Sequence, residues 1–185
     1  EITLQLPTDY TEDALKAAIG RQLDIGEFSW QIESKSLDAR KKNRIHWLIR
    51  VGVNSDELQS GEPAASPSLE IPWKRRKTRV IVVGSGPAGF FAALVLQKAG
   101  FHTVLIERGS KVNKRKQSIR EFESSGTFDS MNNYAFGEGG AGTFSDGKLT
   151  ARTKNVALEK QFILSSYIRA GAPGEIEYLA HPHLG

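Results

Sequence analysis

The sequence predicts an α/β protein in which a small α+β domain of order β-α-β-β precedes the first βαβ unit of a parallel sheet. Three observations predict this class. Ile2–Leu6 alternates apolar and polar residues, as a half-buried strand does. Apolar side chains recur at helical spacing behind Thr11, a residue type that caps helices. Residues 78–83 form a β-branched run that ends at a glycine-rich turn, and a helical period follows the turn directly.

The first domain is predicted to span residues 1–59. Two strand-like runs, Phe28–Ser36 and Ile45–Val53, follow the helix and are separated by a polar stretch. The helix carries its apolar side chains on one face, at Leu15, Ala18, Ile19 and Leu23. This order is that of a partial ferredoxin-like domain, a fold that by itself says little about function.

Residues 60–77 are predicted to be a linker because proline and serine are frequent there, together with Gly61. A second domain is predicted over residues 78–185. Its first strand, at 78–83, is suited to burial on both faces of a sheet. A helix at Pro87–Ala99 and a strand at His102–Ile106 complete the βαβ unit.

Two further helices are predicted in the second domain. The first is Lys111–Ser124 and the second is Val156–Ala170. The inward residues of the second are expected to be Leu158, Phe162 and Ile163. The glycine-rich segment between the two helices is assigned to no regular element.

Bulk composition narrows the class of protein. The apolar share of 39% and charged share of 25% are typical of a globular protein. No apolar run reaches the length of about 18 residues that a membrane-spanning helix needs, and no secretory signal is evident. The sequence contains no cysteine, which excludes a redox-active thiol pair, a cysteine nucleophile and a thiolate metal site. We therefore expect a cytoplasmic protein with no membrane partner.

Positive charge is concentrated between residues 72 and 120, where all but one of the charged side chains are basic. Such a block creates a field that attracts a diphosphate or an acidic surface. An ordinary solvated face is the alternative interpretation of Lys74–Lys77.

The motif that carries the chemistry is a GxGxxG turn between the first strand and the helix of the βαβ unit. Gly84 permits the tight turn, Gly86 lets the backbone approach a pyrophosphate, and Gly89 lets helix and strand pack closely. Pro87 suits the first helical position, and the helix N-terminus directs free N–H groups at an anion. The predicted diphosphate-binding residues are Gly84, Gly86, Pro87, Ala88 and Gly89.

The nature of the dinucleotide depends on the end of the second strand. Glu107 stands about twenty residues after the turn and is placed to accept hydrogen bonds from a ribose diol. A carboxylate there disfavours the 2′-phosphate of NADP, whereas FAD and NAD both carry the free diol. Arg108 is a candidate phosphate partner, with a surface cation as the equal alternative.

A second glycine cluster lies at Phe136–Leu149. Its glycines allow the backbone to run against a flat ligand with N–H groups free to donate. We predict contacts with the diphosphate or the flavin ring from seven residues, Gly139, Gly140, Ala141, Gly142, Thr143, Ser145 and Lys148. A flexible surface loop is the alternative.

Two other interpretations of this part of the chain are rejected. The stretch from Gly142 to Lys148 is similar to the start of a P-loop, but Leu149 stands where a Ser or Thr should bind magnesium. His181 and His183 lack a third ligand, so no metal site is expected.

Three pieces together resemble a bacterial family of uncharacterised FAD-dependent dehydrogenases, or NAD(P)/FAD-dependent oxidoreductases. They are the GSGPAG turn, the ERG that begins at Glu107, and the GEGGAGTFSDGKLTAR segment that begins at Gly137. The final HPHLG also fits the pattern. The resemblance covers residues 79–185, and a small α+β domain at 1–71 matches the placement of such a domain in the family.

The resemblance implies a Rossmann-type FAD-binding domain that is incomplete at its C-terminal end. It implies FAD as the cofactor, with NAD(P)H as electron donor or acceptor, and a small-molecule substrate whose identity is left open. The isolated chain is then expected to be incomplete for catalysis. Two alternatives remain, an NAD-binding Rossmann dehydrogenase and a module that docks RNA or an acidic protein. Nucleic acid is not the expected partner, because residues 1–71 are net acidic.

Overall fold

The computed structural model describes residues 1–59, 61, 68–150, 153 and 156–184. Residues 60 and 62–67 of the predicted linker lie outside the described residues. The chain divides into two compact units, and each is described by itself. The first unit comprises residues 1–68 and 149–182, and the second comprises 69–148 and 183–185. The domain boundaries drawn from the sequence stay a prediction.

The first unit begins with a three-stranded antiparallel sheet and one helix. The elements are β1 (Ile2–Pro7), α1 (Glu12–Leu23), β2 (Ser29–Asp38) and β3 (His46–Asn54), and the strand order is β1-β3-β2. The Ala14 N–H donates to the Thr11 hydroxyl at 3.2 Å, which confirms the predicted cap. Apolar side chains of α1 and the sheet form the core, at Leu4, Leu6, Leu15, Ile19, Ile49 and Val51. The ferredoxin-like character of this unit stays a prediction.

Two later elements belong to the first unit. They are α4 (Ala157–Arg169) and a 3₁₀ helix at Gly174–Glu177. Backbone hydrogen bonds link Lys35 of β2 to Tyr178 and Ala180. The expected inward residues of α4 are half-buried, whereas its buried side chain is Leu164.

The second unit contains the βαβ unit. Its elements are β4 (Arg79–Val83), α2 (Pro87–Lys98), β5 (His102–Ile106) and α3 (Val112–Ser125), and β4 pairs with β5 in parallel. The succession predicted from the sequence is therefore confirmed. None of the helices in the described ranges is long and apolar enough to cross a membrane.

The basic run before β4 packs against the end of α2. The Lys74 N–H donates to the Ala99 carbonyl at 3.3 Å, and the Arg76 N–H donates to the Gly100 carbonyl at 3.0 Å. Gly100 has a φ of +87°, and a Cβ there would lie 2.1 Å from the Lys74 carbonyl oxygen. A glycine is required at that position for both reasons.

Two expectations for the second unit are wrong. β4 was expected to be buried on both faces, but Ile81 is 59% exposed and Val83 is 81% exposed. The reason is that successive side chains of β4 point to opposite faces, and α2 packs on the face of Val82, opposite Ile81 and Val83. The glycine-rich segment was expected to hold no regular element, yet Gly140–Phe144 forms a 3₁₀ helix.

Candidate dinucleotide site

The glycine turn joins β4 to α2 in a conformation that its sequence requires. Gly84 has a φ of +96°, and its N–H donates to the Ile106 carbonyl at 2.6 Å, so the turn is tied to the end of β5. A Cβ on Gly89 would lie 1.9 Å from the Gly84 carbonyl oxygen. The expected roles of Gly84 in the turn and of Gly89 in helix–strand packing are confirmed.

The first turn of α2 directs unpaired N–H groups away from the helix. Gly86 is its cap residue and Pro87 its first residue. The Phe90 N–H donates to the Gly86 carbonyl at 2.9 Å. The N–H groups of Ala88 and Gly89 have no acceptor among the described residues, as helix geometry leads one to expect. Together with the helix dipole, they make this end of α2 favourable for an anion.

The Glu107 carboxylate is held against the turn by three donors. Its Oε2 accepts from the Ser85 N–H at 2.7 Å and the Ser85 hydroxyl at 2.9 Å, and its Oε1 accepts from the Gly109 N–H at 2.9 Å. The Gly109 and Ser85 N–H groups lower the pKa of Glu107 to about 2, against the opposing effect of partial burial. The carboxylate is therefore ionised at neutral pH and can only accept hydrogen bonds.

The remaining acceptor capacity of Glu107 fits a ribose hydroxyl. A carboxylate offers about four acceptor positions. Three are taken within the protein, which leaves one on Oε1. The ribose contact itself stays a prediction.

The second glycine cluster packs directly on the turn. The Gly139 N–H donates to the Ser85 carbonyl at 3.1 Å. A Cβ on Gly140 would lie 2.9 Å from the Cα of Gly86, and Gly140 has a φ of +70°. Of the seven predicted residues in this cluster, these two glycines are therefore brought to the turn.

Of the other predicted residues of the cluster, Thr143 and Ser145 make hydrogen bonds within the protein. Ala141 and Gly142 lie in the 3₁₀ helix. The Thr143 hydroxyl donates to the Glu138 carbonyl at 3.2 Å, and the Ser145 hydroxyl donates to the Gly142 carbonyl at 2.8 Å. Their contacts with a cofactor stay predictions.

The two predicted cations also have partners. The Lys148 Nζ lies 2.9 Å from an Asp146 carboxylate oxygen, and both side chains are exposed. The Arg108 guanidinium donates to the Ser130 carbonyl at 3.1 Å and stacks on Phe136, 3.9 Å from the ring centroid. Arg108 is thus neither a free cation nor bound to an acidic side chain in this arrangement.

Arg115 is a residue that the sequence analysis missed. It is fully buried on α3. Its guanidinium donates to the carbonyls of Asn133 (3.0 Å), Tyr134 (3.2 Å) and Glu138 (2.5 Å), and to the Thr143 hydroxyl (3.3 Å). Arg115 thereby fastens both ends of residues 133–143 to α3.

Two opposing effects act on the pKa of the buried Arg115 guanidinium. Burial lowers the pKa of Arg115, whereas the charges of Glu107 and Glu138 raise it. The space it occupies exists because Gly137 lacks a side chain, since a Cβ there would lie 2.2 Å from the Arg115 Cδ. The sequence carries no signal for this role, because Arg115 stands between Lys114 and Lys116 in a run that is typical of a solvated helix face.

Asn132 supports the same region. It is buried, and its side-chain oxygen accepts from the Ser110 N–H at 3.0 Å. Its amide donates to Asp129 at 2.7 Å. The loop after β5 and the segment before the second glycine cluster are joined in this way. No group of three potential metal ligands occurs among the described residues.

The fold and the site together define a βαβ unit of the dinucleotide-binding type. Residues 77–139 match the model of a family described as FAD binding domain. This range covers β4, α2, β5 and α3 and ends at Gly139. The match supports FAD binding by this part of the chain.

Two relatives extend the comparison. An uncharacterised protein of Clostridium beijerinckii is 39% identical over 166 residues, which are 83% of this chain and 31% of the relative. The chloroplastic geranylgeranyl diphosphate reductase of rice (Oryza sativa subsp. japonica) is 58% identical over 45 residues, 24% of this chain and 10% of that enzyme. The chain therefore spans less than a third of the length of either relative.

Proposed function

We propose that this chain supplies the part of an FAD site that holds the ADP half and the diphosphate of the cofactor in an FAD-dependent dehydrogenase. The observation that carries the proposal is the turn itself. The free N–H groups of Ala88 and Gly89 and the ionised carboxylate of Glu107 flank it, within the range that matches FAD binding domains.

The residues fit the chemical groups of the cofactor. The N-terminus of α2 suits the diphosphate because it combines free donors with a positive dipole end. Glu107 suits the adenosine ribose because it keeps one acceptor position open. In this proposal the segment Gly139–Lys148 lies along the diphosphate and the isoalloxazine, where Lys148 adds positive charge.

The bound flavin would supply the electron or hydride transfer, and the protein would supply position and charge. NAD(P)H as electron donor or acceptor, a small-molecule substrate and a cytoplasmic location belong to the same proposal. The rice relative is named as a reductase, which agrees with redox chemistry. Its substrate is not carried over, because the match covers 10% of that enzyme.

The proposal is tested by a visible absorption spectrum of this chain and of the Clostridium relative, each mixed with FAD and then desalted. Flavin bands retained by both proteins support it. Bands retained only by the longer relative also support the proposal. They would show that residues beyond those of this chain are needed to enclose the flavin.

A matched pair of variants tests whether the flavin binds at the glycine turn. The variants are made in the protein that retains the flavin, either this chain or the relative. Gly89→Ala places a Cβ 1.9 Å from the Gly84 carbonyl oxygen and is expected to abolish retention. Gly174→Ala is the control, because a Cβ there meets nothing within 4 Å. If neither protein retains flavin and calorimetry shows NAD binding, the FAD assignment is wrong and the NAD-binding alternative replaces it.

A further inference from the structure

The turn between β2 and β3 borders a cavity that belongs to the first unit. Its volume is about 510 Å³. The lining comes from β1 and from the turn with its flanking strand ends, at Gln5, Asp38, Arg40, Lys41, Arg44 and His46. Asp38 and His46 face each other as the last residue of β2 and the first of β3.

The cavity has an excess of positive charge. Arg40 donates to Asp38 through Nε at 2.9 Å and through Nη2 at 2.5 Å. These hydrogen bonds lower the pKa of Asp38, so its carboxylate is ionised and its charge is balanced by Arg40. Lys41 and Arg44 have no acidic partner within salt-bridge distance among the described residues.

The turn holds these two cations together. The Arg44 N–H donates to the Lys41 carbonyl at 3.0 Å, which curls the backbone so that both side chains line the cavity. Gln5 accepts from the Arg44 guanidinium at 3.4 Å, which leaves its own amide N–H groups to donate. Bringing like charges together without a counter-charge is unfavourable unless an anion joins them.

His46 provides an independent observation. Its Nδ1 lies 3.1 Å from the Arg44 carbonyl, so this nitrogen carries the proton. The other ring nitrogen, Nε2, is buried and has no hydrogen-bond partner among the described residues. His46 also lines the cavity, so its ring lies beside any ligand that binds there.

We propose that this cavity binds a small molecule through a phosphate or diphosphate group. A guanidinium and an ammonium without counter-ions match a group with two negative charges and several acceptor oxygens. The Gln5 amide adds donors. RNA is the less suitable ligand, because residues 1–71 carry more acidic than basic side chains and would repel an extended polyanion. The inference does not depend on the FAD assignment.

The test uses the full chain and inorganic pyrophosphate as the probe, with calorimetry and with NMR of the histidine rings. The chain has four histidines, and His46→Gln assigns the His46 resonances. We expect saturable binding that shifts the His46 signals. The double substitution Lys41→Met with Arg44→Met should weaken binding roughly tenfold or more, because two charged contacts are lost.

The matched control is Lys16→Met, which removes an exposed cation of α1 outside the cavity. It should leave the pyrophosphate affinity unchanged. Circular dichroism checks that each variant is folded, and Arg44→Lys serves as a milder variant that keeps the charge but loses the guanidinium geometry. The inference is overturned if pyrophosphate shows no saturable binding, if Lys16→Met weakens it equally, or if a short single-stranded RNA binds this turn more tightly than pyrophosphate.

Discussion

Replacement of Arg115 by methionine is expected to detach the glycine-rich segment from α3. Methionine fills part of the space but offers no donor, so three backbone carbonyls and the Thr143 hydroxyl lose their buried partner. A buried acceptor that is left without its donor costs about 1–3 kcal/mol. This is an appreciable part of the roughly 5–15 kcal/mol that holds a domain folded.

The assay for Arg115→Met is urea unfolding combined with hydrogen exchange read by mass spectrometry. The free energy of unfolding should fall by about 1–3 kcal/mol, and protection should fall first in residues 133–143. Arg115→Lys keeps the charge with fewer donors and should lie between wild type and Arg115→Met. Lys116→Met is the control, since its side chain is exposed on the same helix.

One result would refute this reasoning. If Arg115→Met changes the unfolding free energy by less than about 0.5 kcal/mol and leaves exchange in residues 133–143 as in wild type, the buried guanidinium does not hold the segment. If the segment loosens while flavin retention in the longer relative is unaffected by the equivalent change, the segment is not part of the cofactor site.

Three further predictions concern the turn and its neighbours. Gly89→Ala should lower the melting temperature and abolish dinucleotide retention, whereas Gly174→Ala should do neither; equal behaviour of the two variants in thermal unfolding would contradict the packing argument. The pKa of Glu107 is lowered from 4.5 to about 2 in the folded protein, so its contribution to stability is present above pH 4.5 and is lost as the pH falls towards 2. Glu107→Gln should therefore be less stable than wild type at pH 6, with a difference that shrinks on acidification, and a difference independent of pH would exclude this linkage. Lys148→Met in a flavin-retaining form should lower flavin affinity or shift the flavin potential, as measured by titration and redox potentiometry, and no change in either would remove Lys148 from the site.

The sequence predicted the βαβ unit closely because its signals are local. The predicted helix Pro87–Ala99 is found as Pro87–Lys98, and the strand His102–Ile106 has the predicted bounds. Hydrophobic period, a proline at the helix start and glycines at the turn all lie within the elements that they define.

The features that the sequence analysis missed depend on distant partners. Arg115 is buried because residues 133–143, some twenty positions later, supply carbonyls to its guanidinium. The exposure of Val83 depends on which elements cover the two faces of β4, and the sequence of the strand does not encode that. The 3₁₀ helix at Gly140–Phe144 was missed because glycine carries no helical signal.

The apolar side chains that β4 and β5 leave in solvent bear on how the protein is handled. Ile81, Val83 and Ile106 are 47–81% exposed on one face of two paired strands, an apolar surface that attracts the same strands of another copy. Directly before β4 the chain places four consecutive cations, Lys74–Lys77, which repel a like-charged copy as the strands approach. Salt screens such repulsion, with a Debye length of about 3 Å at 1 M. Precipitation is therefore promoted by concentrated salt and suppressed in dilute buffer.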